Sequence, residues 1–215
     1  MNFLISFPRS GQHLTECILR YLCDSHGIKY SYCEYYSCCQ SIPCKQESLF
    51  QKNHDFGIEN GKEIVKINNE SKYLVLFRED PILQLESYYR YILSNSNSNS
   101  EKYISEVSIY EYDDLLKFVK SKLPYYNKFL EKWVNNDKDN ILKVEYYELV
   151  NNVEDTSQRI FNHFYPEVKI EQSKLDEISN IEFYTFSKKR NLGKVKIKNT
   201  INPDIYESLK RDLKL

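Results

Sequence analysis

Two short stretches carry residue types that could do chemistry. In Pro8-Arg9-Ser10-Gly11-Gln12-His13-Leu14, Arg9 offers a planar fork of donors and Ser10 can donate from both its N–H and its hydroxyl. Gly11 permits close backbone approach. In Gln51-Lys52-Asn53-His54-Asp55-Phe56, an ammonium and an imidazole stand two residues apart and would project to the same face of a strand. Together they describe an anion site with a nearby proton acceptor. Asp55 is either a substitute base or a partner orienting His54. His13, His26 and His163 have no such neighbours and are read as structural in their side chains.

The elements around these stretches follow from apolar periodicity. An apolar run from Phe3 to Phe7 breaks at Pro8 and gives way to a helix with Leu14, Cys17, Ile18, Tyr21 and Leu22 on one face. Such a strand, loop and helix aims several N–H groups and the positive end of a helix at one point, where phosphate or sulfate would bind. Further strands are expected within Ile28–Tyr35 and Leu49–Phe56, at Ile64–Ile67, at Tyr73–Phe77 and at Ile141–Tyr146. Helices are expected after Pro81, over 109–135 with a break at Pro124, after the strand that alternates on toward Leu149 and as far as Phe164, and from about Pro203 to Leu213 with Asn202 as cap. Ser94–Ser100, SNSNSNS, reads as a mobile loop. Strands alternate with helices, which predicts an α/β fold: a central, mostly parallel sheet flanked by helices, with the ligand at the carboxyl ends of the strands.

The chain of 215 residues is expected to form a single domain over 1–215. Lys+Arg 30 balance Asp+Glu 31, so no overall field draws it to nucleic acid or an anionic membrane, and anion recognition must be local. No apolar stretch could span a bilayer, and a strand begins almost at Met1 with no basic leader before it, so a cytoplasmic location is expected. Six cysteines at 17, 23, 33, 38, 39 and 44 contain no C-x-x-C pair and fit no ordinary disulfide or zinc spacing. They are read as reduced thiols. The zinc alternative would use Cys23 and His26 with two of the later cysteines.

Three segments in fixed order resemble the sulfotransferases that use 3′-phosphoadenosine 5′-phosphosulfate, PAPS. FPRSGQHL is similar to that family's 5′-phosphosulfate loop, P-[KR]-S-G-T-[TS]-[WL]. YLVLFREDPILQLESYYRY is similar to its 3′-phosphate strand and helix, where an Arg ends a strand and a Ser follows eight residues later. KRNLGKVKIKNTINPDIYESL is a weakened copy of its late R-K-G-x-x-G-x-W-K-N segment. The resemblance implies that Arg9, Ser10, Gly11, Gln12, His13 and Leu14 cradle the 5′ end of the cofactor. It implies that Arg78, Ser87, Arg190 and Gly193 contact its 3′ side, and that Tyr146, in EYYEL, which resembles the Tyr of the family's Y-E-D-L element, contacts the adenine, with Phe183 and Phe186 as further candidates for a ring wall. Gln12 and His13 replace two small hydroxyl residues, Ser87 comes nine residues after Arg78, and Leu192, Val195 and Ile197 stand where the family has Gly, Gly and Trp. Only seven of the 30 basic residues are Arg, yet Arg9, Arg78 and Arg190 each fall in one of these segments, as the match of a planar fork to phosphate oxygens favours.

The family's K-x-H element matches Lys52 and His54. The resemblance implies that His54 is the general base and that Lys52 and Arg9 stabilise charge on the transferred sulfuryl group, with no metal required. The expected activity is sulfuryl transfer from PAPS to a hydroxyl or amine of a small-molecule or carbohydrate acceptor, leaving adenosine 3′,5′-bisphosphate. A P-loop kinase or nucleoside triphosphatase is the alternative from another class, although G-x-x-x-x-G-K-[ST] is missing from the sequence. A catalytically silent nucleotide-binding relative is the other.

Overall fold

The computed structural model describes residues 1–96, 110–185, 188–191 and 201–215. Its centre is a sheet of five strands, β1 (Asn2–Ser6), β2 (Tyr32–Glu34), β3 (Phe50–Asn53), β4 (Lys72–Phe77) and β5 (Ile141–Glu145). Their order is β2-β3-β1-β4-β5, and every neighbouring pair is parallel. β1 and β4 are apolar through their middles, Phe3–Ile5 and Tyr73–Phe77, because both of their faces are covered, as parallel strands joined by crossover helices require. Leu4, Leu74, Leu76 and Val144 face a core shared with α1 (Gln12–Ser25), α5 (Val153–Phe164) and α6 (Gln172–Ile178). Phe3, Ile5, Phe7, Tyr73, Val75 and Phe77 face the opposite core, built with α2 (Pro81–Ser96), α3 (Tyr112–Phe129) and α7 (Pro203–Leu213).

β1 lies between β3 and β4. The chain leaves β1 toward the β2 edge and leaves β4 toward the β5 edge, so the loops after β1 and β4 diverge and open a crevice at the carboxyl ends. The short helix α4 (Tyr146–Asn151) leaves β5 at the same end, and β6 (Glu182–Thr185) pairs antiparallel with β7 (Lys188–Asn191) in a separate hairpin.

Several expectations change. Ile64–Ile67 forms no strand; the Val65 carbonyl accepts from Lys132 Nζ at 2.5 Å, and β1 and β4 already pair with each other. Pro124 does not break its helix: α3 runs through it to Phe129, and a wider turn over Leu130–Val134 follows, closed by Asn135 N–H donating to Leu130 O at 2.8 Å. A proline inside a helix costs about 3 kcal/mol, but Tyr125, Tyr126 and Phe129 are all buried around Phe7 at ring separations of 4.7, 5.2 and 5.6 Å. Burial stabilises by roughly 2 kcal/mol for each such ring, so packing wins.

The helix expected to Phe164 is two, α4 and α5, separated at Asn152, whose φ of −125° is not helical. α2 extends through Ser94 to Ser96, and the rest of the SNSNSNS run lies outside the described residues. α7 begins as expected, with Asn202 accepting from Asp204 N–H at 2.8 Å. Among the described residues no helix is long and apolar enough to cross a membrane.

Candidate functional site

The loop after β1 turns because Arg9 and Gly11 both adopt left-handed backbone, with φ of 71° and 88°. For Arg9 this conformation costs about 1 kcal/mol, a strain the neighbouring bonds must hold. Ser10 is fully buried; its hydroxyl donates to Gln84 Oε1 at 3.0 Å, and Gln84 Nε2 donates to the Pro8 carbonyl. Gly11 is needed on two counts. Besides its φ, a Cβ there would stand 2.9 Å from Tyr146 Cδ2 and 3.0 Å from Leu149 Cδ2. Thr15 N–H donating to Gly11 O at 3.0 Å is the first i→i−4 bond of α1, so the N–H groups of Gln12, His13 and Leu14 ahead of it point out of the helix end.

The side chains of this segment divide the work differently from their backbones. Gln12 turns inward, where its Oε1 accepts from Ser6 Oγ at 2.9 Å and its Nε2 donates to Leu4 O at 3.1 Å. Leu14 belongs to the core, and the exposed His13 ring lies 3.7 Å from Glu16. Gln12 and Leu14 can therefore meet an anion only through their backbone groups.

The two arginines expected at opposite ends of one ligand are neighbours. Arg9 stays exposed at the surface of the loop, yet desolvation by the protein atoms packed against its guanidinium, followed by the positive charge of Arg78, holds its pKa below the ordinary arginine value. Its carbon lies 5.3 Å from the centre of the Tyr91 ring. The Arg78 guanidinium lies 4.0 Å from the centre of the Tyr146 ring, while Arg78 Nε is buried without a hydrogen-bond partner among the described residues. Tyr146 therefore packs between Gly11 and Arg78.

α2 lines the other wall. Gln84, Ser87 and Tyr91 recur at helical spacing on one face; Gln84 holds Ser10 and Tyr91 meets Arg9, so half-buried Ser87 lies between two residues that touch the loop. The extra residue between Arg78 and Ser87 is absorbed at the start of α2. Asp80 caps that helix, accepting from Leu83 N–H at 2.9 Å ahead of Pro81.

Lys52 and His54 share the α1 side of the sheet, since Lys52 pairs with Leu4 and His54 meets Ser6. His54 Nδ1 is 2.9 Å from the Ser6 carbonyl and 3.0 Å from Ser6 Oγ. A carbonyl only accepts, so Nδ1 carries the proton, and the neutral ring keeps its lone pair on Nε2. Ser6 Oγ in turn donates to Gln12, so the tautomer is fixed by a chain that ends on Leu4 O. Burial, and to a lesser degree the charge of Lys52, pushes the imidazole pKa down to about 4. His54 is thus neutral over the physiological range.

Lys52 differs from the expectation that its ammonium is available, because it pairs with Glu34 Oε1 at 2.9 Å. Asp55 is no partner of His54: it is fully buried, and its Oδ2 accepts from Lys132 Nζ at 2.8 Å and Trp133 Nε1 at 3.0 Å. The Phe183 and Arg190 side chains and all of Phe186 and Gly193 lie outside the described residues.

Sequence reasoning missed Ser6, Gln84, Tyr91 and Glu34. Ser6 and Gln84 had a readable signal, being polar residues at buried positions of an apolar strand and an amphipathic helix. Glu34 had none, since its strand neighbour is set by pairing alone. The cysteines were also missed as a group: Cys33, Cys38, Cys39 and Cys44 converge. Cys23 lies in the core, and His26 Nδ1 bonds Leu22 O at 2.8 Å.

No protein-family model matches the sequence, and no curated protein matches it. Solved structures do match. A retinol dehydratase in complex with retinol and PAP superposes with a TM-score of 0.53 at 16% identity over 82% of this chain, and the chain spans 62% of that protein's length. Mouse sulfotransferase SULT7A1 complexed with PAP superposes with a TM-score of 0.52 at 12% identity, covering 99% of this chain and 81% of the other. At these identities the likeness is one of fold: the chain has the sulfotransferase fold.

Proposed function

We propose that this chain, folded as the sulfotransferases are, transfers a sulfuryl group from PAPS to a hydroxyl or amine of a small-molecule or carbohydrate acceptor. One convergence supports the reading: the loop around Gly11, the Arg9 and Arg78 guanidiniums and the Tyr146 ring come together at the crevice, beside the neutral His54 of the next strand. The donor set fits a bisphosphorylated nucleotide, because it combines helix-end N–H groups, two guanidiniums and an aromatic face, with a glycine whose Cβ would fill the cradle.

In this reading the N–H groups of Gly11 to Leu14 and the Arg9 fork hold the 5′ end of the cofactor. Arg78 and Ser87 hold its 3′-phosphate, Tyr146 supports them, and Arg190 and Gly193 are proposed to close the same side. PAPS, when bound, supplies the sulfuryl group and departs as adenosine 3′,5′-bisphosphate. The attacking acceptor oxygen or nitrogen forms its bond to sulfur as the bond from sulfur to the phosphate oxygen breaks. His54 Nε2 takes the acceptor's proton, and Nδ1–H stays on Ser6 throughout. Arg9 and the loop N–H groups neutralise charge on the departing oxygens, and Lys52 does so after exchanging Glu34 for the sulfuryl oxygens. Positioning and electrostatics carry the rate, and loss of the base lowers it by about 10² to 10⁴. The proposal takes 1–215 as one domain acting in the cytoplasm, without nucleic acid or membrane insertion and without a metal in the transfer step.

A second reading, silent nucleotide binding, is favoured by the Lys52–Glu34 pair, which occupies the ammonium that transfer would use. Calorimetric titration with adenosine 3′,5′-bisphosphate, then transfer from labelled PAPS to a panel of acceptors, separates the readings. Binding with transfer supports the enzyme, and binding without transfer supports the silent relative. No binding of the bisphosphate together with binding of ATP and Mg²⁺ overturns both in favour of a nucleoside triphosphate enzyme.

A further inference from the structure

We propose that Cys33, Cys38, Cys39 and Cys44 bind one zinc ion as a tetrathiolate, fixing the loop between β2 and β3. The four Sγ atoms all lie within 4.8 Å of one another; Cys33 and Cys39 are 3.9 Å apart and Cys39 and Cys44 are 3.6 Å apart. A tetrahedral ion with Zn–S bonds of about 2.3 Å sets its sulfurs about 3.8 Å apart, between those two separations. A disulfide would need about 2.05 Å and would join only two of the four. Iron–sulfur clusters spread their cysteines over several irons, farther apart than this set, so a single ion fits. The pattern is C-x₄-C-C-x₄-C. Cys33 comes from β2, Cys38 and Cys39 from the turn after it, and Cys44 from the approach to β3.

Three donors outside the set point at its sulfurs. Gln46 N–H donates to Cys44 Sγ at 3.4 Å, Ser41 Oγ to Cys39 Sγ at 3.3 Å and Gln51 Nε2 to Cys33 Sγ at 3.8 Å. Such second-layer donors orient metal-bound sulfur and offset its charge. On binding, four S–H bonds give up their protons to solvent and four Zn–S bonds form, leaving a site of net charge −2.

The loop has a physical need for such a cross-link. Between Glu34 and Phe50 Cys44 is the single buried residue, too little apolar burial to offset the conformational entropy of ordering the loop. The ion also bears on the crevice. Cys33 pairs with Gln51 across β2 and β3, the next pair is Glu34 with Lys52, and the ring of Tyr36, from the same loop, packs 5.1 Å from that of Phe56, beside His54. The site stands on the cysteine geometry alone and is independent of the activity proposed above.

The full chain, purified without chelator from zinc-supplemented cells, is expected to contain about one zinc per molecule by mass spectrometry. Replacement by Co²⁺ should give the intense visible bands of tetrahedral cobalt thiolate. Cys39→Ser and Cys44→Ser should abolish both signals, and Cys17→Ser, outside the cluster, should keep them. Should the serine variants fail to fold, a mercurial titration of the wild-type protein should release its zinc only as four thiols react. Protein that carries no zinc and takes up no cobalt overturns the proposal, as does a disulfide within the set in freshly purified protein, or iron bound in place of zinc.

Discussion

Acidification should weaken the folded state through His54, by an amount that the structure sets. In the unfolded chain the imidazole takes a proton near its ordinary value of 6.5, whereas in the fold burial holds it near 4. Between those values the unfolded chain binds more protons than the native one, so stability is fully present above about pH 6.5 and falls as pH drops toward 4. Each tenfold change in proton affinity is worth 1.36 kcal/mol, so the loss reaches about 2 kcal/mol at pH 5 and about 3 kcal/mol at pH 4. That is a large share of the 5–15 kcal/mol typical of a domain.

Urea unfolding of the wild type and of His54→Gln across pH 4 to 7 measures this, since carboxylates and His163 contribute to both proteins and cancel in the difference. The wild-type free energy relative to the variant should be flat above about pH 6.5 and drop by about 3 kcal/mol on reaching pH 4. Under the proposed chemistry kcat/KM should keep a single acid limb near pH 4. A pH-independent difference, or an imidazole that titrates at 6.5 in NMR spectra of the folded protein, would refute the buried neutral base.

Gly11→Ala should lower the unfolding free energy by about 2–4 kcal/mol, because left-handed backbone costs an alanine 1–2 kcal/mol and the new Cβ meets Tyr146 and Leu149 at 2.9 and 3.0 Å; an unchanged urea midpoint contradicts it. Adenosine 3′,5′-bisphosphate should bind that variant more than tenfold more weakly by calorimetry. Arg78→Met should weaken the same ligand about 10- to 100-fold, as loss of a charge-assisted pair would, while shifting stability by less than about 1 kcal/mol; full affinity in the variant removes Arg78 from the site. Lys52→Met breaks a part-buried pair with Glu34 worth about 1 kcal/mol, so thermal unfolding should move little while kcat falls about 100-fold. A fall in affinity for the bisphosphate with kcat preserved would show that Lys52 holds the cofactor instead.

The parallel core was legible where residues answer to local rules. Phe3–Phe7, apolar but for Ser6, and the continuous run Tyr73–Phe77 are apolar because they sit mid-sheet, and the Asn202 cap announces α7 through a bond to a residue two places on. Pro124 misled because a local breaking tendency was outweighed by three rings packed around Phe7, a residue more than a hundred positions away. The tight turn after β1 was readable because glycine acts there largely through its own backbone.

What the sequence determined by itself is therefore the chemistry available: a guanidinium beside a glycine turn, a lysine two before a histidine, and an alternation of strands with helices. Tertiary structure alone decided how those groups are used. Pairing of β2 with β3 set Glu34 on Lys52, the buried Ser6–Gln12 chain fixed the tautomer of His54, Lys132 and Trp133 drew Asp55 away, and four cysteines without a recognisable spacing were brought within 4.8 Å. Each of these is a contact between residues distant along the chain or a consequence of burial, and neither is encoded in the spacing of nearby residues.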